Sequence, residues 1–417
     1  MPLPKPNAPI AHTMQAQAMA RVGEVEAWPL AHGMTFLNHG SFGSCPKPVL
    51  AEQARLRQLL EEQPVDFMVR RLEGMLDQSK ETLAQFIGAD SESLAFVSNA
   101  TSGVNTVLRS LNFDPEDELL TTDHAYNACS NALGYVAERA GARIRVAPIP
   151  LPLKDPLEIC EHIEKCISSR TRLLLVDHIT SPTALVFPIK EVVARMRERG
   201  ILTLVDGAHA PGMIDLNLRD LEADFYTGNC HKWLCAPKGA GFLHVHPEHR
   251  PIIRPLAISH GANATRQDRS RFTMEFDWTG TADPTAWLCV GTAIKWVAGQ
   301  MPGGWKAIMQ RNHTLVTQAS EQLQSRLGYR CLAPDSMLGA MASVQIPDTN
   351  MPIPESTPLY SDSLQDKLWS EHQIEVPIVP WPHHPRRLLR ISAQLYNQSS
   401  DYQKLIEVLE QHGPKPQ

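Results

Sequence analysis

Long apolar runs are missing from this 417-residue chain. No stretch approaches the length a bilayer span needs, which argues against a membrane protein. Basic runs are missing as well: 39 Lys and Arg stand against 45 Asp and Glu, for a net charge of −6. That balance argues against nucleic acid as the main partner, and no appended DNA-binding helices are visible. Residues 1–20 hold prolines and polar side chains but no apolar h-region, so no secretory signal is expected. The eight cysteines form no C-x-x-C pair and keep no ordered spacing, a pattern that fits reduced thiols in the cytoplasm. There is no H-E-x-x-H and no Cys/His cluster, so no metal site is expected; His383 and His384, set among prolines and arginines, read as a loop. No repeat, linker or low-complexity tract interrupts the chain, apart from the proline-rich residues 352–358 and the tail 413–417. An apolar fraction of 43% and a charged fraction of 20% are ordinary for a soluble globular enzyme. The length exceeds what one core accommodates and suggests two domains.

What is present centres on residues 224–243, which read as a short strand, a polar turn carrying Lys232, and a glycine-rich turn into another apolar strand. Small and polar residues and Trp233 flank the lysine, which suggests partial burial. A buried amine loses hydration of its charge, its pKa falls, and the neutral form becomes a nucleophile toward an aldehyde; a solvated loop lysine is the plain alternative. Upstream, an apolar run from Ile201 to Val205 ends in Asp206 and Gly207 and reads as a strand buried on both faces. Its acid lies at the carboxyl end, where open α/β sheets place ligands. Pyridoxal phosphate needs a lysine for its aldehyde, a carboxylate for its pyridine nitrogen and a cradle for its phosphate. Lys232 and Asp206 supply the first two. On these residues, and on the opening Phe36-Leu37-Asn38-His39-Gly40-Ser41-Phe42-Gly43, the chain resembles the class V aminotransferase family of fold-type I pyridoxal-phosphate enzymes. Within it the likeness is to the isopenicillin N epimerase-like branch, over residues 34–409.

Further residues acquire roles from that resemblance. Residues 94–105 read as a strand, a small-residue turn and a helix start, whose unpaired N–H groups and positive dipole end suit a phosphate. Thr101 there is otherwise a simple N-cap; the resemblance makes Ala100 and Thr101 the centre of the phosphate turn. It places a ring against the pyridine face at His124, with Tyr126 nearby as the alternative, while a histidine capping the next helix is the structural reading. It puts Ser181 or Thr180 near the cofactor's phenolic oxygen, and His209, Asn229 and His231 around the cofactor. The glycine-rich turn at 38–43 then lies over the cofactor, so that Asn38 and His39, with Tyr126, meet the substrate. Arg390 matches an arginine that clamps substrate carboxylates, a task suited to a planar guanidinium, although a strand arginine also serves as a surface ion pair. Thr281 reads as opening a helix in a Gly-Thr turn. In the resembled family this turn reaches the neighbouring subunit's phosphate, implying a homodimer with shared sites; capping its own helix is the alternative.

Strands alternating with helices, each strand ending in small or polar residues, predict an α/β fold with a mostly parallel sheet wrapped by helices. Helices are expected over 15–28, 46–62 and 66–87, and a long amphipathic one from residue 305. Residues 44–294 are expected to form the large cofactor domain; residues 1–43 and 295–417 form an N-terminal arm with a smaller α/β C-terminal domain. The chemistry implied is that of an enzyme acting at the α-carbon of a small amino acid, with Lys232 as general base. Epimerisation is the first reading, a C–S lyase on a cysteine-derived substrate or an aminotransferase the alternative. A cysteine desulfurase needs a nucleophilic Cys that residues 379–387 lack, and a non-catalytic binder of the cofactor is opposed by the intact Lys232, Asp206 and Arg390.

Overall fold

The computed structural model describes residues 25–352 and 362–415. The helix expected over 15–28 therefore lies outside the described residues except for a 3-10 turn at Val25–Ala27, as does most of the proline-rich 352–358 segment. Seven strands form the main sheet: β1 Leu94–Val97, β2 Glu118–Thr122, β3 Arg143–Ala147, β4 Thr171–Asp177, β5 Leu202–Gly207, β6 Phe225–Asn229 and β7 Gly241–Val245. Their spatial order is β1-β7-β6-β5-β4-β2-β3. Only β7 runs antiparallel to its neighbours; all other pairings are parallel. The α/β expectation is met.

Covering both faces of the sheet is what gives these strands continuous apolar runs. Along β4, Leu173 and Leu175 join the core beneath the helices Ala100–Ser110 and Asn127–Ala140. Leu174 and Val176 point the other way, into the core shared with the helices Lys47–Glu62 and Leu72–Ile87. The expected second helix is thus split: Asp66–Arg71 is a π-helical turn leading into Leu72–Ile87. Four antiparallel strands build a second sheet, in the order Ile378–Pro380, Arg387–Ser392, Met341–Ile346, Arg330–Cys331. The long helix Gly304–Leu327 and the C-terminal helix Ser399–His412 pack on it around Leu315, Val344, Leu389 and Leu405. Residues Thr35–Phe36 pair in parallel with Ile374–Glu375 as a separate two-stranded sheet, and Leu37 and Ile374 join the same core as Val344 and Leu389.

One contact fixes where the site forms. In the helix Ala100–Ser110, Gly103 lies so close to β6 that a β-carbon there would collide with the Thr227 side chain. That side chain is itself committed, since its hydroxyl donates to Phe242 O at 2.8 Å. The helix start is thereby pressed against the carboxyl end of β6. Gly103→Ala should lower stability by about 1–3 kcal/mol in denaturant melts, and adding Thr227→Ala should recover most of the loss.

Candidate active site

The chain leaves β6 at Asn229 and turns back through residues 230–240, delivering Lys232 at the sheet's carboxyl edge. Backbone bonds fix this turn: Cys230 N and His231 N donate to Ala240 O, and Ala236 N donates to Cys230 O. The Lys232 carbonyl accepts from His39 Nε2 at 3.0 Å. A carbonyl can only accept, so Nε2 carries the imidazole proton and Nδ1 accepts from the Tyr396 hydroxyl at 2.8 Å. Burial holds the His39 pKa down to about 3, so the ring stays neutral. His39 is therefore a clamp on the lysine turn and does not face a substrate as expected. The 38–43 segment is also not a bare turn: His39–Phe42 is one helical turn ending at Gly43, whose positive φ of 70° presses it on His231 O.

Beside this turn lies a cavity of about 330 Å³, and Lys232, Asp206, Asp177 and His209 all face it. Lys232 is half-buried, and its pKa is lowered to about 8, first by desolvation of the amine and then by the charge of Arg390. Its Nζ lies 3.1 Å from His209 Nε2, and His209 Nδ1 accepts from Trp233 Nε1 at 3.4 Å. Asp206 Oδ1 accepts from Ala208 N at 3.0 Å, and its Oδ2 accepts from the Cys129 thiol, also at 3.0 Å. Burial raises its pKa, while those two donors act against the rise. On the neighbouring strand, Asp177 stands in register with Asp206.

The other end of the cavity is an anion cradle. Asn99 caps the helix Ala100–Ser110, its side chain accepting from Ser102 N. Ala100, Thr101, Asn229, His231 and Gly239 line the same wall. The Ala100 N–H already donates to Asn229 Oδ1 at 2.8 Å, so Ala100 shapes the cradle without offering its own donor. His231 donates Nδ1–H to Ala240 O at 2.8 Å, and burial lowers its pKa to about 4. It can donate to an anion only by taking a second proton on Nε2, which a dianion would favour. Arg390, from the smaller sheet, is buried and is not itself among the residues lining the cavity, but its guanidinium donates to two that are, the Ser181 hydroxyl at 3.1 Å and Ser41 Oγ at 3.0 Å, and to Asn38 Oδ1 at 3.4 Å.

Besides His39, and besides Asn38 and Arg390, which do not line the cavity, two further expected residues are elsewhere. His124 is fully buried outside the cavity, its nitrogens bonded to Thr183 Oγ1 and Ile149 O and its ring packed on Phe187 and Trp381. Tyr126, two residues on and 40% exposed, is the ring that lines the cavity. Thr281 opens no helix: it is an exposed bend, and the short helix begins at Thr285, where Asp283 Oδ1 accepts the Thr285 N–H. Thr281 is not among the residues lining the cavity of its own chain. The sequence reading missed Asp177, Cys129 and Phe42. Asp177 also ends an apolar strand in an acid, the signal that singled out Asp206.

The family model described as aminotransferase class-V matches residues 65–405. The isopenicillin N epimerase of Streptomyces clavuligerus is 34% identical over 387 residues, covering 90% of this chain and 94% of that protein. An L-cysteine desulfhydrase of Arabidopsis thaliana is 26% identical over 412 residues, covering 90% of this chain and 87% of its own. Among solved structures, a C-DES mutant with glycine covalently linked to the PLP cofactor superposes with a TM-score of 0.76. It is 22% identical and covers 93% of this chain and 98% of that one.

The cavity fits pyridoxal phosphate. An amine whose pKa is lowered to about 8 suits the aldehyde, and Asp206 Oδ2, which accepts from a weak thiol donor, suits a charged ring N–H. The capped helix start with Gly239 beside it leaves room for the phosphate. In Lys232→Ala, borohydride should leave no cofactor fixed to the protein by mass spectrometry, whereas the wild type should carry it on Lys232. The rate at which apo-protein takes up the cofactor covalently should climb with pH as the amine loses its proton, then level off above about 8, the value to which burial lowers it; stopped-flow absorbance would follow this.

Proposed function

The chain belongs to the aminotransferase class-V family, and from that premise we propose that it epimerises a small amino acid, taking the α-proton on one face and returning one on the other. The observation that carries this reading is the placement of two ionisable side chains around the acids. Lys232 follows β6, Tyr126 follows β2, and Asp206 and Asp177 end the two strands between them, β5 and β4. With strands about 4.8 Å apart, the amine and the phenol approach the cavity from opposite sides.

Bound there, pyridoxal phosphate supplies an aldehyde that binds amines and an electron-accepting ring that acidifies the substrate α-carbon. Asp206 would hold the ring nitrogen in its charged form, Thr101 and His231 would hold the phosphate, and Ser181, which lines the cavity, would meet the phenolic oxygen. Arg390, positioned by Ser41, Asn38 and Ser181, takes the substrate carboxylate. Lys232, whose pKa of about 8 leaves a neutral fraction near physiological pH, removes the α-proton, and Tyr126 gives one back on the far side.

A C–S lyase is the second reading, favoured by the likeness to an L-cysteine desulfhydrase and by its need for only one base. A desulfurase is disfavoured because no cysteine is among the described residues lining the cavity. Incubating the holoenzyme with a panel of L-amino acids, cysteine and cystine included, separates the cases. Appearance of the D-enantiomer supports epimerisation, pyruvate with sulfide supports the lyase, and a keto acid with loss of the amino group supports an aminotransferase. Tyr126→Phe should cut epimerisation about 100-fold, within the span typical of a positioned acid–base group, while α-proton exchange into deuterated water persists. Equal loss of exchange and epimerisation removes Tyr126 from the role.

We infer also that the protein works in the cytoplasm as a homodimer, with Thr281 of each chain completing its partner's phosphate cradle. The exposure of Thr281 and of Phe42, which also lines the cavity, supports this. Light scattering should give twice the chain mass, and Thr281→Ala should weaken cofactor binding severalfold, consistent with loss of one hydrogen bond. A monomer would sink the shared-site reading.

A further inference from the structure

We propose that Asp177 is a second positioning carboxyl of this site: it keeps a proton and donates it to Asp206, so that Asp206 alone presents negative charge to the cofactor nitrogen. This rests on the reading that Asp206 faces that nitrogen. Asp177 and Asp206 are Cα partners on adjacent parallel strands, and both side chains line the one cavity. Neighbouring strands lie about 4.8 Å apart, so the two carboxyl groups point the same way at close range. Asp177 is only 2% exposed. Two ionised carboxylates so placed would repel in a poorly solvated setting, and the favourable state holds one proton between them.

Which acid keeps the proton follows from their partners. Asp206 receives the Ala208 N–H and the Cys129 thiol, each at 3.0 Å, and both favour its ionised form. Among the described residues Asp177 receives the Tyr126 N–H alone, at 3.5 Å on Oδ1. Burial, and next the Asp206 charge, push its pKa well above the usual carboxylate range. The other groups facing the pair do not reverse the order. Lys232 favours ionisation of both acids, His209 is held neutral by burial, and the Cys129 thiol is pushed up and stays protonated. One Asp177 oxygen thus accepts from Tyr126 while the other donates to Asp206. The same side chain ties the loop that presents the Tyr126 ring to the charge state of the acid beneath it.

Infrared spectroscopy of the wild-type apo-protein at neutral pH tests this without any variant, since a protonated buried carboxyl has its own C=O stretch. That band should be present in the wild type and lost in Asp177→Asn. Cofactor dissociation constants of the apo-proteins supply the second readout. Asparagine keeps a donor toward Asp206, so Asp206→Asn should weaken binding at least about tenfold more than Asp177→Asn, a difference of about 1.4 kcal/mol. Asp177→Leu, which removes the donor, should bind more weakly than Asp177→Asn. The proposal is overturned by a wild type without the band, by a band that survives in Asp177→Asn, or by equal losses in Asp177→Asn and Asp206→Asn. An Asp206→Asn protein that binds as the wild type does would remove the Asp206 premise itself, a result distinguishable from failure of the Asp177 assignment.

Discussion

A lysine amine held out of water is the constraint on which the rest of this structure depends. Burying an ammonium costs several kcal/mol unless it is paired or loses its proton. Among the described residues Lys232 has no carboxylate within hydrogen-bond range, only the His209 imidazole. Its pKa falls to about 8, first through desolvation and then through the charge of Arg390. Such an amine stays put only if its backbone is over-determined, and the turn is fixed at both ends. Ala240 O takes two N–H groups from the strand end, and the Lys232 carbonyl takes a third donor from His39. The side chain can then be reactive because the backbone is rigid.

The clamp on that turn comes from the other end of the molecule. His39 follows Thr35–Phe36, which pairs with Ile374–Glu375, while Ser392 N donates to Leu37 O and Ser392 Oγ accepts from His39 N. Two residues before Ser392 in the same strand stands Arg390. One strand of the smaller sheet thus sets the lysine turn through His39 and sets the guanidinium through its own register with Met341–Ile346. The two cationic groups of the site are therefore positioned by a single element, and Arg390 is the second cause of the low Lys232 pKa. Shifting that strand would change both the distance to a substrate carboxylate and the basicity of the amine.

The features legible in the sequence were those that follow from chain direction alone. Asp206 and the Lys232 turn were found because an apolar strand run ends there, and strand ends in a parallel sheet converge on one edge. The helix start at Ala100 was found for the same reason. Features that depend on side-chain direction were not legible. His124 and Tyr126 sit two residues apart past the end of β2, and nothing in their spacing tells which ring the loop turns inward. The structure turns His124 onto Ile149 O and Thr183 and leaves the cavity to Tyr126. His39 was misplaced because a short polar segment between glycines looks like ligand-facing loop whether its imidazole points at substrate or at a neighbouring carbonyl. Thr281 failed on a boundary: the helix begins at Thr285, after Pro284, and it is Asp283 that accepts the Thr285 N–H.

The acids beneath the cavity show why the proton step is better specified than the reaction that follows it. Any chemistry that begins at the α-carbon needs a neutral base and an electron sink, and the groups placed for both are held by neighbours, Lys232 by His209 and Asp206 by Ala208 and the Cys129 thiol. Epimerisation and β-elimination separate only afterwards, by whether a proton returns on the far side or a β-substituent leaves. That far side is formed by Tyr126, the most exposed of the side chains proposed to act on the proton. The backbone of Tyr126 is coupled to the buried acids through Asp177, whereas its ring is open to whatever the substrate brings. Relatives with like cavities can therefore differ in outcome while keeping the lysine and the Asp206 carboxylate unchanged. The part of the site that solvent reaches is free to vary, and the part that pays for desolvation is not.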